Sequence, residues 1–246
     1  MNREEQKQTI KDYLKRLGAG EELESVRVDF VKKFQSVDAA EIMNAEQELI
    51  KEGTPISEVQ RLCDVHSALF HGKTREEQIA NAPKATVDSI REQRFAKTAE
   101  LVKIPGHPLH TFTLENEALA KTIEKCREAL KNGHVEYKLI EEVRQLAIHY
   151  AKKGDLLYPH LKVKYEISGP SDVMWTVDDE IRDEFAALAK KADSQDDEWK
   201  KRFEAALTRA DEMIYKEANI LFPNCAFNFT DEEWFGICLL YTSPSP

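Results

Sequence analysis

The chain has 246 residues, of which 41% are apolar and 33% are charged, a balance typical of a soluble globular protein with room for two domains. Its formal net charge of −10 argues against nucleic acid or an anionic membrane as the main partner. No signal peptide opens the sequence and no apolar run matches the thickness of a bilayer, which predicts a cytoplasmic protein. Its four cysteines show no CxxC spacing and are expected to be reduced thiols. Few glycines and abundant Ala, Leu, Glu and Lys predict an all-α fold.

Residues 1–98 are predicted to form a small helical domain with its core at 20–73. Asp38 and Glu41 have the spacing of a capping box, and Gly53 is expected to end the helix that they open. Ser57 and Gln60 repeat this spacing at the start of the next helix.

Two histidines, His66 and His71, lie five residues apart on that second helix. This spacing does not place both on one face, so no shared metal site is expected there. A charged helical connector follows and ends near the turn at 103–106, which we interpret as the domain boundary.

Residues 99–228 are predicted to form an up-down four-helix bundle. The first helix is expected to end at Asn132 and Gly133. The predicted starts of the four helices are Pro108, a position near Val135, a capping box of Thr176 and Asp179, and a capping box of Ser194 and Asp197. A long connector is expected between the second helix, which ends near Lys153, and the third.

A sequence pattern repeats at the ends of the second and fourth helices. HYAKKGDLLYP at 149–159 returns 64 residues later as MIYKEANILFP at 213–223, and Lys153 aligns with Glu217. Each copy closes on a proline, which we interpret as a helix stop. The repeat predicts that the two segments lie side by side at one end of the bundle, and chance similarity of two amphipathic helix ends is the alternative.

Each apolar stripe of the bundle carries one polar residue. These residues are Asn116, His149, Asp178 and Glu217. In an up-down bundle they lie toward the same end and can converge, and inward His and carboxylate side chains are how bundles build iron and manganese sites. The alternative is that these buried polar side chains only hydrogen-bond to one another and have a structural role without a metal. Lys153, one turn from His149, argues against a metal unless its side chain extends past the bundle end.

Both halves resemble known families. EIMNAEQELIKEGTPISEVQRLCDVHSALF is similar to the helical domain of unknown function 438, which precedes haemerythrin-like domains in bacteria and archaea. GHPLHTFTLEN, HYAKKGDLLYP, GPSDVMWTVDDEIR and KEANILFP resemble the haemerythrin-like HHE cation-binding domain, from about His107 to Pro223. That resemblance implies a non-haem di-iron site with His-x-x-x-Glu pairs on the second and fourth helices. Here His149 is followed by Lys153 and Glu217 is preceded by Met213, so only half of each pair is present.

The resemblance implies a metal site near the shared end of the bundle. The candidate ligands are His149 and Glu217, His107 and His110 as replacements for missing histidines, and Asp178, Asp179 and Glu180 on the third helix. Non-haem iron is the implied cofactor, and a degenerate or mononuclear site or no metal at all are the alternatives.

The leading functional hypothesis is a sensory or regulatory protein that binds a divalent metal and responds to oxygen, nitric oxide or redox state. A helical signalling or interaction module without metal is the alternative, and a non-haem iron enzyme or an iron-delivery protein is the third. No catalytic motif is found, so an enzyme is not expected.

The resemblance also implies a C-terminal PAS domain, and a homodimer is a further alternative. Residues 229–246 are interpreted as the start of a truncated segment, with a new helix at Thr230 and a vector-like tail from Cys238.

Overall fold

The computed structural model describes residues 3–18, 21, 25, 26, 29, 48–55 and 89–242. Over these residues every regular element is a helix, which confirms the all-α prediction. The chain divides into two compact units, one of residues 1–92 with 167–173 and one of residues 93–166 with 174–246. The expected domain limits at 98 and 228 stay predictions.

The described part of the first unit begins with helix α1, Arg3–Gly18, which buries Ile10 and Tyr13. A short helical segment at 48–51 ends in a turn at Gly53, whose φ of 96° is easily adopted only by glycine. This confirms the predicted stop at that residue. The predicted capping boxes that begin at Asp38 and Ser57 lie outside the described residues, as do His66, His71 and Cys63.

The remaining helices belong wholly or largely to the second unit. They are α2 (Ser89–Val102), α3 (Pro108–Lys131), α4 (Tyr137–Arg144), α5 (Leu146–Leu156), a π-helix π1 (His160–Lys164), α6 (Ser168–Ala189), α7 (Asp197–Lys216), a second π-helix π2 (Glu217–Leu221), α8 (Phe222–Asn228) and α9 (Asp231–Thr242).

Capping residues set the bounds of α3, as the sequence predicts. Pro108 occupies the first turn, where its missing N–H costs no hydrogen bond, and the N-cap His107 accepts a hydrogen bond from the Leu109 N–H at 3.1 Å. At the other end Asn132 is the C-cap and Gly133 takes a φ of 92°. The helix is therefore closed at both ends by local chemistry.

The N-cap predicted to open the fourth helix is displaced by two residues. Helix α7 begins at Asp197, but the N-cap is Asp196 and not Ser194, because the Asp196 carboxylate accepts the Trp199 N–H at 2.8 Å.

The long connector predicted between the second and third helices is wrong, because most of it is helical. Gly154 does not stop α5 but lies inside it, next to Trp175. Helix α6 begins at Ser168 with Pro170 in its first turn, so the capping box predicted at Thr176 lies within the helix. The proline stops are also wrong, since the chain remains helical after Pro159 through π1 and Pro223 lies in the first turn of α8.

Apolar stripes on the helices of the second unit form one core. Phe112, Ile123, Ile181 and Phe185, at helical spacing on α3 and α6, are at most 1% exposed. Near the start of α7 the ring of Trp199 stacks on Phe203 at 4.7 Å. Glu217 lies 18 residues further along, which is about 27 Å at 1.5 Å per residue. The core of the second unit therefore contains aromatic side chains near the start of α7 and a polar side chain at the end of α7.

Candidate metal centre

Six polar side chains lie together inside the second unit, and we call them the core polar cluster. Each is at most 5% exposed, and α3, α5, α6 and the junction of α7 with π2 all contribute to it. Its members are Asn116, His149, Lys153, Tyr158, Asp178 and Glu217. Buried polar groups at this depth need partners, and the cluster supplies them internally.

Glu217 lies at the centre of the core polar cluster, where α7 passes into π2. Its Oε2 atom accepts hydrogen bonds from Asn116 Nδ2 at 2.7 Å and from His149 Nε2 at 2.8 Å. Its Oε1 atom accepts one from Lys153 Nζ. Burial alone would raise the pKa of this carboxyl group, but the charges of Lys153 and His149 outweigh burial and hold its pKa below the usual value. Glu217 is therefore a buried carboxylate with three donors.

Lys153 points into the core, with a side chain that is 0% exposed. Its Nζ donates to Glu217 Oε1 and to Asp178 Oδ1, the latter at 3.0 Å, and lies 4.2 Å from the centre of the Tyr150 ring. The side chain therefore does not extend past the bundle end, which was the condition for a metal beside His149. An ammonium group stands between the two carboxylates.

Asp178 is the second anion of the core polar cluster. Besides the Lys153 contact, its Oδ2 accepts a hydrogen bond from the Tyr158 hydroxyl at 2.9 Å. Burial raises the pKa of Asp178 to about 6, against the opposing charge of Lys153. Burial also raises the pKa of Tyr158 well above its usual value, so the phenol keeps its proton and donates it. Asp178 is accordingly ionised at neutral pH.

Both ring nitrogens of His149 contact carboxylates. Nε2 faces Glu217 Oε2 at 2.8 Å and Nδ1 faces Glu115 Oε2 at 2.7 Å. A carboxylate can only accept, so each nitrogen must carry a hydrogen and the ring is an imidazolium. Burial would lower the pKa of His149, but the charge of Glu217 and the hydrogen bonds to Glu115 and Glu217 raise it. Glu115 in turn accepts from Lys152 at 2.5 Å, which extends the network toward solvent.

The two histidines proposed as replacement ligands have other contacts. His107 caps α3 through Nδ1, and its ring lies 4.7 Å from that of Trp234, where burial lowers its pKa. His110 Nδ1 lies 2.7 Å from the backbone oxygen of Val102. Neither ring has a hydrogen bond to the core polar cluster among the contacts of the described residues.

Two of the three acidic candidates on α6 lie at the surface. The side chain of Asp179 is 46% exposed and pairs with Arg182 at 2.9 Å, and that of Glu180 is 48% exposed and pairs with Arg209. Of the seven predicted ligands, the structure therefore brings together His149, Asp178 and Glu217.

The residues of the core polar cluster do not fit a metal ion. A metal ligand must offer a free lone pair, whereas His149 uses both nitrogens as donors and Lys153 has no acceptor. The Lys153 ammonium also lies between the two carboxylates that would have to coordinate the ion. Within the described ranges, no group of three or more His, Cys, Asp or Glu side chains could hold a metal.

Sequence reasoning missed three members of this network: Glu115, Lys152 and Tyr158. Glu115 lies beside the predicted stripe residue Asn116, and Lys152 lies beside Lys153, but no short-range pattern relates α3 to α5. The signal for Tyr158 was its place in the repeat, at the end of HYAKKGDLLYP.

Two family models match the chain and confirm both resemblances. The first is a family of unknown function (DUF438), over residues 10–76, and the second is the hemerythrin HHE cation binding domain, over residues 107–225. No curated protein and no solved structure matches the chain. None of the helices that the structure describes is both long and apolar enough to cross a membrane. Residues 107–225 are therefore similar to the hemerythrin HHE cation binding domain, and residues 10–76 are similar to the family of unknown function DUF438.

Proposed function

We propose that residues 107–225 form a haemerythrin-type bundle that works without a metal, as a helical signalling or interaction module. One observation carries this proposal: the Lys153 ammonium is buried between the carboxylates of Asp178 and Glu217. The domain family is named for cation binding, and in this chain a side chain supplies the cation.

Charge balance supports a role without metal. Among the described residues, the buried part of the cluster holds two cations, Lys153 and His149, and two anions, Asp178 and Glu217. Buried charges are costly unless they are paired, and these are paired with one another. A divalent ion would add two positive charges to a group that is already neutral. The cluster therefore needs no further ion.

A closed ionic network of this kind fixes how the helices pack. Lys153 on α5 is bonded to Asp178 on α6 and to Glu217 at the end of α7, while Asn116 on α3 is bonded to Glu217. Sliding α5, α6 or α7 by one turn would leave a charge buried without its partner, which costs several kcal/mol, and sliding α3 would break the hydrogen bond from Asn116 to Glu217. We therefore propose that the cluster sets the register of the bundle, and that the bundle acts on its partners as a rigid body.

A metal-dependent sensor of oxygen, nitric oxide or redox state is the second candidate, and the family match favours it. Metal content separates the two. We would purify the wild-type protein without oxygen and without chelators, and measure iron, manganese and zinc by elemental analysis. The proposal expects far less than one ion per chain and no change in melting temperature on adding EDTA.

A stoichiometric ion that is lost from Glu217→Ala would overturn the proposal. Glu180→Ala is the matched control, because it removes a carboxylate that lies at the surface and is paired with Arg209. An ion retained in Glu217→Ala and lost in Glu180→Ala would place a metal elsewhere and would leave the core polar cluster without one.

A further inference from the structure

We infer that the Lys153 ammonium takes the place of a divalent cation in the core polar cluster, so that its charge excludes a metal ion from the position between Asp178 and Glu217. This inference rests on the proposed function and says how metal independence is achieved. It assigns to Lys153 the role of a built-in cation.

The convergence of oxygen atoms on Lys153 is the first support. Glu217 Oε1 and Asp178 Oδ1 both bind the same nitrogen atom, and they come from different helical segments. The Asn116 side chain lies beside them, since its Nδ2 donates to Glu217 at 2.7 Å, and its Oδ1 is buried with no hydrogen-bond partner among the described residues. An oxygen atom without a donor is unusual at this depth and is a suitable additional ligand for a hard cation.

The repeat provides independent support. Lys153 and Glu217 occupy equivalent positions in the two copies, 64 residues apart, and their side chains are in direct contact. Equivalent positions on the two helices thus face each other across the cluster with opposite charge. If both positions carried a carboxylate, the same geometry would bring two anions together, and a cation would be needed to hold them.

Replacing Lys153 should therefore create a metal site. In Lys153→Glu a carboxylate lies one helical turn after His149 and on the same face, and with Asp178 and Glu217 it supplies oxygen atoms around an imidazole nitrogen. One nitrogen and several carboxylate oxygens suit Mn²⁺, Fe²⁺, Co²⁺ or Zn²⁺. Loss of the ammonium removes the repulsion from a unit charge a few ångströms from the ion, and the His149 proton is released when the ion binds.

The test is a titration with Co²⁺, followed by its visible absorption and by calorimetry. We compare the wild type with Lys153→Glu and Lys153→Ala, the second of which removes the ammonium without adding a buried anion. Lys138→Glu is the control for overall charge, because it makes the same change of charge at an exposed position of α4. Each protein is titrated at the same pH and ionic strength.

The expected result is one Co²⁺ per chain in Lys153→Glu, bound at least about 100-fold more tightly than by the wild type, since removing a nearby charge is worth several powers of ten in affinity. Lys153→Ala should bind the same ion less tightly, and Lys138→Glu should behave as the wild type. The inference is overturned if folded Lys153→Ala binds Co²⁺ no more tightly than the wild type, because the ammonium charge would then not be what excludes the ion. It is also overturned if neither Lys153 variant folds in the presence of Co²⁺. Metal in the wild type would instead contradict the proposed function, so the two failures are distinguishable.

Discussion

Replacing Lys153 by methionine should strongly destabilise the bundle. Methionine keeps an unbranched side chain of similar length, so it removes the charge with little change of packing. The buried cluster then holds two carboxylates, Asp178 and Glu217, against the single cation His149. One negative charge is left without a partner in the core, and in the absence of a metal ion the folded protein removes that charge by taking up a proton.

The cost of that proton sets the size of the effect. Asp178 is the group most ready to accept it, because burial has already raised its pKa to about 6 from an ordinary value of 3.8. Protonating a carboxyl group of that ordinary pKa at pH 7 costs about 4 kcal/mol, at ~1.4 kcal/mol for each pH unit. Removing one partner of a buried ion pair typically costs about 3–5 kcal/mol, which agrees with this figure. We expect Lys153→Met to lose about 4 kcal/mol of unfolding free energy at pH 7.

The loss should depend on pH with a definite sign. The folded variant holds a proton that the unfolded chain releases, so its stability falls as pH rises. In the wild type the carboxyl group of Asp178 is ionised above its pKa of about 6, so above that pH its contribution to stability no longer changes with pH. Between pH 6 and 8 the variant should lose about 1.4 kcal/mol more than the wild type for each pH unit.

Urea unfolding followed by circular dichroism at pH 6, 7 and 8 measures these differences. Lys152→Met is the matched control, since the neighbouring lysine is 32% exposed and its pair with Glu115 should contribute less than about 1 kcal/mol. Adding Asp178→Asn to Lys153→Met restores charge balance and should recover much of the lost stability. A Lys153→Met protein within about 1 kcal/mol of the wild type at pH 7, or with the same pH dependence, would refute the assignment of a buried ammonium.

Two further predictions concern other buried contacts of the second unit. Gln195→Ala removes the amide that accepts the Val135 N–H at 2.9 Å and donates to the Val135 oxygen at 2.7 Å, so it should lower the unfolding free energy by about 2–3 kcal/mol. Ser194→Ala, at the exposed neighbouring position, should change the unfolding free energy little. Equal urea midpoints for the two variants would contradict this prediction. Glu233 accepts from the Thr230 N–H at 2.8 Å, and although burial opposes it, its hydrogen bonds to Lys164, Tyr165 and Thr230 lower its pKa to about 2. The contribution of Glu233 to the unfolding free energy is therefore present above the ordinary glutamate pKa of 4.5 and is lost as pH falls toward 2. The difference in unfolding free energy between the wild type and Glu233→Gln should shrink over that range.

Periodicity and capping chemistry predicted much of the fold. The stripes of α3, α6 and α7 could be predicted because the buried side chains of one helix recur every three or four residues. Pro108 and Gly133 marked the bounds of α3 because each has a local conformational reason to stand there. On the predicted second helix Ile140, Val143 and Leu146 are buried, and the helix is interrupted at Gln145 between α4 and α5.

The region between α5 and α6 could not be predicted from local signals. Gly154 and Pro159 weaken a helix in isolation, and both favour a stop in a sequence-based prediction. Tertiary packing overrides them here, since Leu157, Tyr158 and Leu161 are almost completely buried around these positions. The burial of these apolar side chains offsets the loss of helix stability caused by a glycine inside a helix, which is about 1 kcal/mol.

The inward direction of Lys153 depends on partners that the sequence places far away, Asp178 at 25 residues and Glu217 at 64. A lysine near a helix end usually directs its ammonium to water, and nothing within one turn of Lys153 argues otherwise. Charge balance would have indicated the inward direction. Once Asp178 and Glu217 are assigned to the core, His149 alone cannot neutralise them, so a second cation must be present. A metal ion and the side chain of Lys153, one turn after His149, both meet that requirement. A metal ion must be bound from solution, and its ligands must lose their protons, whereas the ammonium group is part of the chain and needs neither step. This charge balance supports the proposal that the bundle at residues 107–225 keeps its polar core and its helix register without a metal.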